Sequence, residues 1–493
     1  MLFVLIIILY KGSSKWIWFF MKKIFRGGSI VTANGIQTAD LLIIEDKIDS
    51  IGTDLYDDEA EIIDCIGMII MPGGVEPHAH FSLPMFDTIS SDNHYTGHRA
   101  AAFGGSTTVL DFTSQLPGQS LQASIANSID QASKSAAVDY SFHINVTDFN
   151  ADIEKEIRTL SLQGFTSLKV FTAYNDTLRL LDEEIMSILE VARDHGLVVM
   201  IHAEDGDEIE NLVSKALSDR HHEPIWHART RPSHGEVNAG KRVIDMVEES
   251  DAILYIVHIS TSGLLKQLVS GRRRGVRVMG ETCPQYLFFT EENLLQSDGG
   301  KYVCSPPLRS LQDNTDLWEG LSDGSLQTVG TDHCPFFANG KLPIEYDGDQ
   351  VSIPGKELGD DDFTKIPNGL PVIEHRMALL WTFGVSTGKL SVERFVELVS
   401  TNPAKIFGLY PRKGALMPGS DADIVLWDPN KKHTISVRSS HMRTDHDLWE
   451  GVEVEGMPKQ VYLRGRLLVK NNNWFGQPGY GQLLKRDGDF QFV

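Results

Sequence analysis

Residues 71–81 read Met-Pro-Gly-Gly-Val-Glu-Pro-His-Ala-His-Phe, and this stretch decides between two fold classes. Its second half, residues 75–81, has the composition of a buried strand and is followed by Ser-Leu-Pro. An open, doubly wound sheet would place a glycine-rich phosphate loop after its first strand. Because no such loop follows residue 81, the stretch favours a closed parallel barrel.

Seven further apolar, β-rich runs support the barrel. They lie at residues 107–112, 140–146, 167–173, 198–203, 253–259, 276–281 and 328–331. Segments of helical period separate most of them, for example 183–192, with Asp182 as its candidate N-cap, and 236–249. Eight apolar strands alternating with helices predict an α/β protein with a (β/α)8 TIM barrel.

The two ends of the chain follow a different pattern. Residues 24–71 and 422–465 alternate apolar and polar side chains between turn signals such as Asn34-Gly35 and Arg464-Gly465, which is typical of short antiparallel strands. We therefore expect one small β-sandwich built from both ends. The predicted units are an apolar extension (1–20), the first part of the sandwich (21–73), the barrel (74–390), the second part with linking helices (391–470), and a tail (471–493).

Composition excludes several classes of protein. The chain has 493 residues, 41% hydrophobic and 23% charged, which is ordinary for a globular protein. Its net charge of -22 argues against a nucleic-acid partner. The four cysteines, Cys65, Cys283, Cys304 and Cys334, include no CxxC pair and are too scattered for a disulfide framework, which favours the cytoplasm.

The first twenty residues contain a short apolar run at 2–10 that is interrupted at Lys11 and Lys15. A spanning helix needs roughly 20 apolar residues, and a signal peptide needs a basic region before its apolar run. We therefore expect no membrane association. Met21-Lys-Lys-Ile resembles a natural start, so residues 1–20 are interpreted as a dispensable extension.

Polar residues lie near the carboxyl ends of five predicted strands, which is the face where barrel enzymes build their sites. Each one alone has an ordinary explanation: a histidine at a strand end is often structural, and a lysine in an apolar strand can pair with a neighbouring strand. Together they suit two metal ions, because imidazole and carboxylate groups are zinc ligands. The set is His78, His80, Lys169, His202, His258 and Asp332.

An ordered series of motifs makes a resemblance specific. Beside residues 71–80, the series is Ser167-Leu-Lys-Val-Phe-Thr-Ala-Tyr, Met200-Ile-His-Ala-Glu, Val257-His-Ile-Ser, Glu281-Thr-Cys-Pro-Gln-Tyr-Leu, Cys304-Ser-Pro-Pro-Leu-Arg, Gly330-Thr-Asp-His-Cys-Pro-Phe, Asp362-Phe-Thr-Lys-Ile-Pro-Asn-Gly and Asn402-Pro-Ala-Lys-Ile-Phe-Gly. Over about residues 21–485 the chain resembles the dihydropyrimidinase/hydantoinase family of the amidohydrolase superfamily.

The resemblance implies a role for each site residue. His78, His80 and Asp332 would bind one metal, His202 and His258 the other, and a carboxylated Lys169 would bridge them, with a hydroxide between the metals as nucleophile. Asp332 would act as base and then acid. Tyr174 would stabilise the oxyanion, and backbone groups of Ser305 and Asn368 would hold the ring.

Two positions depart from family patterns. Glu76 stands where the family has Asp, and it is expected to orient a metal ligand by hydrogen bonding, without binding the metal itself. Dihydroorotases, which share the superfamily, carry an arginine two residues after the second histidine to bind a substrate carboxylate. Ser82 occupies that position here, which argues against dihydroorotate.

The resulting expectation is a binuclear cyclic amidohydrolase, of class EC 3.5.2.2 by resemblance, that opens 5,6-dihydropyrimidine or 5-substituted hydantoin rings to N-carbamoyl amino acids. Zinc is the first choice of metal, with manganese or iron as alternatives. The rivals are an allantoinase-like hydrolase of ureides and a non-catalytic scaffold related to dihydropyrimidinases. By resemblance, the tail 471–493 would contact a neighbouring subunit, so a homotetramer is expected, and a homodimer next. Which ring and which enantiomer is preferred depends on loops after the strands, whose shape the sequence leaves open.

Overall fold

Five strands precede the barrel in the computed structural model, which describes residues 21–488 and 491–493. Tight turns at residues 33–34 and 45–46 join the first three, at the predicted turn signals. Gly27, at φ 73°, allows the first strand to bend, so that its first half pairs with the fourth strand and its second half with the fifth. The strands are β1 (Lys22–Thr32), β2 (Gly35–Ile44), β3 (Lys47–Gly52), β4 (Glu61–Asp64) and β5 (Ile69–Pro72).

The barrel strands form a single eight-stranded sheet, and all their pairings are parallel. A small hairpin, β7 (Pro84–Met85) and β8 (Thr88–Ile89), follows the first of them. The eight, in chain order, are β6 (Gly74–Glu76), β9 (Ser106–Phe112), β10 (Asp139–Asn145), β11 (Ser167–Phe171), β12 (Val198–His202), β13 (Ile253–Ile256), β14 (Val278–Thr282) and β15 (Thr328–Val329).

The first and last barrel strands meet through side chains and one isolated bridge. Buried Arg376 donates to the carbonyl oxygens of Val75 (3.1 Å) and Val329 (3.0 Å), one on each strand. Beyond the strand ends, Ala79 pairs with His333 in parallel. These bonds close the sheet into the predicted (β/α)8 barrel and bring residues 78–80 beside residues 331–333.

Helices follow the barrel strands and cover their outer face with apolar residues. They are α1 (His94–Phe103), α2 (Leu121–Ser133), α3 (Ala151–Ile157), α4 (Leu160–Gln163), α5 (Asp182–Asp194), α6 (Gly206–Ser218), α7 (Ile225–Arg229), α8 (Ser233–Ser250), α9 (Ser262–Arg273), α10 (Gln285–Phe288), α11 (Leu311–Asp323), α12 (Arg376–Leu380), α13 (Val392–Val396) and α14 (Asn402–Ile406). Short 3-10 or π turns lie at Glu291–Leu295, Gly299–Tyr302, Lys356–Gly359, Phe363–Lys365, Trp381–Val385 and Glu397–Thr401.

Both helices predicted in detail are present, with different starts. The expected N-cap of α5, Asp182, is wrong by one residue. Leu181 is the cap, and its backbone N–H donates to the Glu184 carboxylate at 2.7 Å. Asp182 instead joins two other acids in the first turn, where negative charge is favourable. Helix α8 begins directly after Pro232, three residues before the predicted start at 236.

Strands from both chain ends form one nine-stranded sheet with its own apolar core. The loop after β15 contains a separate hairpin, β16 (Ile344–Tyr346) and β17 (Asp349–Val351), which is not part of this sheet. The sheet itself adds β18 (Ile424–Thr434), β19 (Glu453–Leu463), β20 (Arg466–Lys470) and β21 (Asn473–Trp474). Its order is β21-β20-β19-β18-β5-β1-β2-β3, and β4 pairs with β1. The second domain predicted from both ends is therefore present.

The tail returns to its own barrel. Leu483 pairs with Tyr140 on β10, the Leu484 N–H donates to the Tyr140 carbonyl at 2.7 Å, and Arg486 is buried. The contact with a neighbouring subunit that was expected of residues 471–493 stays a prediction, and the extension 1–20 lies outside the described residues. Within the described part of the chain no helix is long and apolar enough to cross a membrane, and all four cysteines are free and buried.

Candidate metal centre

The first two predicted ligands lie just beyond their strand. The sequence predicts a strand through residue 81, but β6 ends at Glu76. Pro77 has no N–H to donate to a ladder, which accounts for the early end. His78 and His80 still face the same space, with ring centroids 5.2 Å apart.

Asp332 joins these two histidines in a first cluster. Its Oδ1 atom lies 3.0 Å from His78 Nε2 and 3.1 Å from His80 Nε2. The three ligand atoms all lie within 4.8 Å of one another. Asp332 has φ 50°, a strained conformation for a residue other than glycine, and such strain is concentrated at functional sites. One divalent ion can therefore take all three donors.

A carboxylate from another strand holds His78. Glu281, on β14, accepts from His78 Nδ1 at 2.7 Å and from the Tyr255 hydroxyl at 2.8 Å. Burial lowers the pKa of His78, but Asp332 and Glu281 outweigh it and raise that pKa to about 9. These two carboxylates supply negative charge that a bound cation would balance. Glu281 stands in the quoted motif series, but its role was missed because its partner is 203 residues away.

Glu76 orients the backbone rather than an imidazole. Its Oε1 atom accepts the backbone N–H groups of His78 (3.0 Å) and Thr331 (2.9 Å), and its Oε2 atom lies 3.2 Å from Arg376. Burial raises the pKa of Glu76 to about 7, against the opposing charge of Arg376. Glu76 thus ties the first strand to the last one at the level of the first cluster.

His202 and His258 form a second cluster. His202 Nδ1 and His258 Nε2 lie 3.0 Å apart, and His202 Nε2 bonds Glu204 at 2.7 Å. That bond puts the His202 proton on Nε2, so the Nδ1 lone pair points at the shared space. His258 has φ 38°, a second strained residue at the site. Burial lowers the pKa of both histidines, which keeps them neutral and able to bind a metal.

Lys169 is buried without an anionic partner. Its Nζ atom lies 5.2 Å from the ring centres of both Phe112 and Phe171, and no carboxylate of the described residues lies within 4.0 Å of it. Burial lowers the pKa of Lys169 to about 8, with Asp332 and Glu281 opposing. The salt bridge to a neighbouring strand, considered above as its ordinary explanation, is absent from this part of the chain.

Tyr174 and Ser305 lie beside the second cluster. The Tyr174 ring centre is 5.1 Å from that of His202, and the residue has φ 68°. Burial raises the pKa of Tyr174 to about 12, while the charge of Arg231 and a hydrogen bond with Ser305 oppose the rise. His227 Nε2 lies 3.2 Å from the Ser305 hydroxyl. The structure thus brings Tyr174 and Ser305 together.

The backbone around Asn368 lies beside the segment that carries Ser305. The Asn368 N–H donates to the Met85 sulfur at 3.2 Å, and the next residue, Gly369, donates to the Val303 carbonyl at 3.1 Å. The segments that carry Ser305 and Asn368 are therefore bonded to each other, and the β7–β8 hairpin covers their edge. Sequence reasoning missed Met85, Glu204, Arg231 and His227, since only their spatial neighbours mark them.

Fold and site together define a barrel hydrolase with a histidine- and carboxylate-lined centre for divalent metals. Comparison with known proteins places it more closely. The model of the amidohydrolase family matches residues 69–468, and the chain belongs to that family.

Several relatives are similar over nearly their whole length. The D-hydantoinase of Geobacillus stearothermophilus is 41% identical over 469 residues, which cover 94% of this chain and 97% of that protein. The crystal structure of the dihydropyrimidinase from Brevibacillus agri has a TM-score of 0.91 at 43% identity, and the match covers 96% of this chain and 100% of that one. The L-hydantoinase of Arthrobacter aurescens is more distant, with a TM-score of 0.84 at 27% identity over 95% of this chain and 100% of that one.

Proposed function

We propose that this protein is a binuclear-metal hydrolase that opens 5,6-dihydropyrimidine or 5-substituted hydantoin rings to N-carbamoyl amino acids. One observation carries the proposal: two clusters of metal-binding side chains adjoin each other, with the His78 and His258 ring centres 5.5 Å apart, and the buried lysine near them has no anionic partner among the described residues. Related proteins named for hydantoins and dihydropyrimidines support the substrate class.

The side chains fit two divalent ions and a carboxylated lysine. His78, His80 and Asp332 would hold one ion, and His202 with His258 the other. Carboxylation would turn the buried cation of Lys169 into an anion that the two ions neutralise, which removes the cost of burying an unpaired charge. When bound, the ions supply Lewis acidity and an activated water. Zinc suits imidazole and carboxylate donors best, with manganese or iron as alternatives.

Proton transfer falls to Asp332. Its carboxylate faces both His78 and His80, and buried histidine partners hold its pKa well below the usual range despite desolvation. A carboxylate in this position accepts a proton from the attacking water and then returns it to the leaving ring nitrogen. The Tyr174 hydroxyl donates to the carbonyl oxygen as negative charge develops on it.

The ring's imide edge would lie against the segment that joins Ser305 and Asn368. Backbone N–H and C=O groups there can match the alternating donors and acceptors of a ureide ring. Arg231, beside the Tyr174 ring, pairs with Glu204 at 2.7 Å, so its charge is not available to bind a substrate carboxylate. Together with Ser82, this favours a neutral ring over dihydroorotate.

A substrate panel tests the proposal. The zinc-loaded full chain is assayed with dihydrouracil, both enantiomers of 5-phenylhydantoin, allantoin and dihydroorotate, and the products are resolved by chiral chromatography. We expect N-carbamoyl-β-alanine or N-carbamoylphenylglycine from the first two classes, and loss of turnover when a chelator removes the metal. Turnover of allantoin alone would favour the allantoinase reading, and a metal-free, inactive protein would favour a scaffold.

We further propose a cytoplasmic homotetramer, with a homodimer as the alternative. Four free buried cysteines suit a reducing compartment. Multi-angle light scattering at micromolar concentration gives the mass directly, and a monomer of 54.9 kDa would contradict the assembly.

A further inference from the structure

Arg231 stands between two parts of the site that have no direct bond to each other. It lies in the short link between α7 and α8, and its side chain is 10% exposed. One guanidinium nitrogen, Nη1, donates to Glu204 Oε2 at 2.7 Å, the same oxygen that bonds His202 Nε2 at 2.7 Å. The guanidinium carbon also lies 5.2 Å from the centre of the Tyr174 ring. One cation therefore contacts both the carboxylate behind His202 and the face of Tyr174.

The position of Arg231 is itself held firmly. Its carbonyl oxygen accepts from Arg309 Nη1, and Arg309 forms a buried pair with Glu236 at 3.0 Å. Arg309 Nε also donates to the Ser260 hydroxyl at 3.0 Å, two residues after His258. Pro232 restricts the backbone on the other side. The hydrogen bonds that hold Arg231 thus reach the segment just after His258, so the arginine is tied to the second cluster.

Tyr174 needs such support. Its φ of 68° costs energy in a residue other than glycine, and its ring has two aromatic neighbours, His202 at 5.1 Å and Phe171 edge-on at 6.3 Å between ring centres. Guanidinium groups stack favourably on aromatic faces and restrict the ring's rotation. A fixed positive charge close to the ring also stabilises negative charge that develops at the hydroxyl end.

We propose that Arg231 is a positioning residue for the reaction: it holds the Tyr174 ring at the angle that presents its hydroxyl to the developing oxyanion. This rests on the proposed ring hydrolysis. Arg231 does not contact the substrate in this scheme, because its charge is already satisfied by Glu204. Its effect is exerted in the transition state, and so it falls on kcat rather than on KM.

A double-mutant cycle tests the proposal. The variants R231M, Y174F and R231M/Y174F are compared with the parent, which is first shown to hydrolyse dihydrouracil or phenylhydantoin. Loss of one oxyanion donor costs about 100- to 1000-fold in kcat. We expect R231M to lower kcat by about 10- to 100-fold with KM changed less than about threefold, and to lower it less than about threefold when Phe replaces Tyr174. R231K, which keeps the charge, should recover part of the loss.

Two further readouts separate this role from a structural one. The metal content of R231M should equal that of the parent, and the 19F resonance of a 3-fluorotyrosine at residue 174 should shift and broaden as the ring becomes free. Arg229 supplies a matched control, since it stacks on Trp226 at 4.9 Å but is exposed. R229M should leave kcat and the 19F signal unchanged.

The outcomes are distinct. An equal loss of kcat in both backgrounds, an unchanged kcat, a rise in KM alone, or a loss of metal from R231M would each overturn the role. If R231M does not fold, the cycle is run with R231K, and the same criteria apply to its smaller loss. A parent inactive on every cyclic amide would contradict the proposed function instead, while the 19F comparison would still report whether Arg231 holds the ring.

Discussion

The barrel carries a cluster of buried charges at each end, and in only one of these two clusters does every charge have a partner of opposite sign. At the amino end, Lys413 lies within 2.7–2.9 Å of Asp139, Asp421 and Asp423. Arg464, from the turn between β19 and β20, also bonds Asp139. These residues come from the barrel and from the nine-stranded sheet, and each charge has a partner of opposite sign.

At the carboxyl end the pairing is incomplete in the described part of the chain. Lys169 has no anion, and His258 Nδ1 is buried without a hydrogen-bond partner. Burying an unsatisfied polar group costs free energy, so such groups persist where another interaction, such as ligand binding, offsets that cost. The saturated cluster, made of Lys413, Arg464 and their three aspartates, thus joins parts of the fold. The unsaturated cluster around Lys169 and His258 is instead shaped for ligands. Changes at one end should therefore affect stability, and changes at the other end should affect chemistry.

The largest effect is expected at Lys169. K169A removes the proposed bridge, so kcat/KM should fall by about a thousandfold or more and the metal content should drop from two ions per chain. Elemental analysis and steady-state rates measure both. K155A, which alters an exposed lysine paired with Asp152, is the control. Retention of full metal content and activity by K169A would refute the bridge.

At the other end, K413M should break the saturated cluster. Removing one partner of a buried ion pair costs about 3–5 kcal/mol, because three carboxylates then stay buried with less countercharge. Urea unfolding measures this loss. The folded fraction should keep its metal and its kcat. K134M, at an exposed pair with Asp130, should change stability by less than about 0.5 kcal/mol. A K413M protein that is stable but inactive would contradict the division between the two ends.

Variants of Glu281 test whether the carboxylates that bond the metal-binding histidines contribute to metal binding and activity rather than to stability. E281Q weakens the bond to His78 Nδ1 and should lower metal affinity or activity by about 10- to 100-fold. Competition with a fluorescent zinc chelator measures the affinity. Y255F removes only the hydroxyl that bonds Glu281, so its effect should be smaller. A loss of stability without any change in metal affinity would assign Glu281 to the scaffold instead.

The smallest effect is a pH dependence at the amino end. Burial alone would raise the pKa of Asp421, but Lys413 outweighs it and lowers that pKa from 3.8 to about 2. The pKa of Lys413 is in turn raised above 10.5, against desolvation, by Asp139 and its neighbours. Asp421 thus stabilises the fold above pH 3.8 and loses this effect as the pH falls toward 2. Lys413 stabilises it below pH 10.5 and loses this effect above.

Thermal unfolding between pH 7 and pH 3 checks this dependence. D421N should be less stable than the parent at pH 7, and its melting temperature should fall less on acidification, because the titrating group is gone. Parallel curves for the two proteins would show that Asp421 does not contribute to the acid sensitivity.

Much of the fold follows from local patterns. Each of the eight predicted barrel strands overlaps an observed one, because parallel barrel strands are apolar on both faces and stand out as continuous runs. The errors lie at element ends. The sequence predicts one strand over residues 75–81, but Pro77 ends it early, and it predicts Asp182 as an N-cap, although the cap lies one residue earlier.

The site residues likewise divide into a set that the sequence predicts and a set that it does not. His78, His80 and Asp332 lie together, as do His202 and His258, because each follows a strand of one parallel sheet and the carboxyl ends of such strands meet at one face. The groups that orient them were not predicted. Glu281 and Arg231 are recognisable only from what they contact, and those contacts join residues far apart in the chain.

The class of fold, the order of the strands and the residue types available for metal chemistry all follow from the amino-acid sequence alone. These depend on hydrophobic period and on which residue follows each strand, and both are local properties. The folded chain is needed to show which carboxylate holds which histidine, that Lys169 has no anion beside it among the described residues, and that the tail returns to its own barrel. These depend on closure of the barrel, which brings distant strands within hydrogen-bond distance.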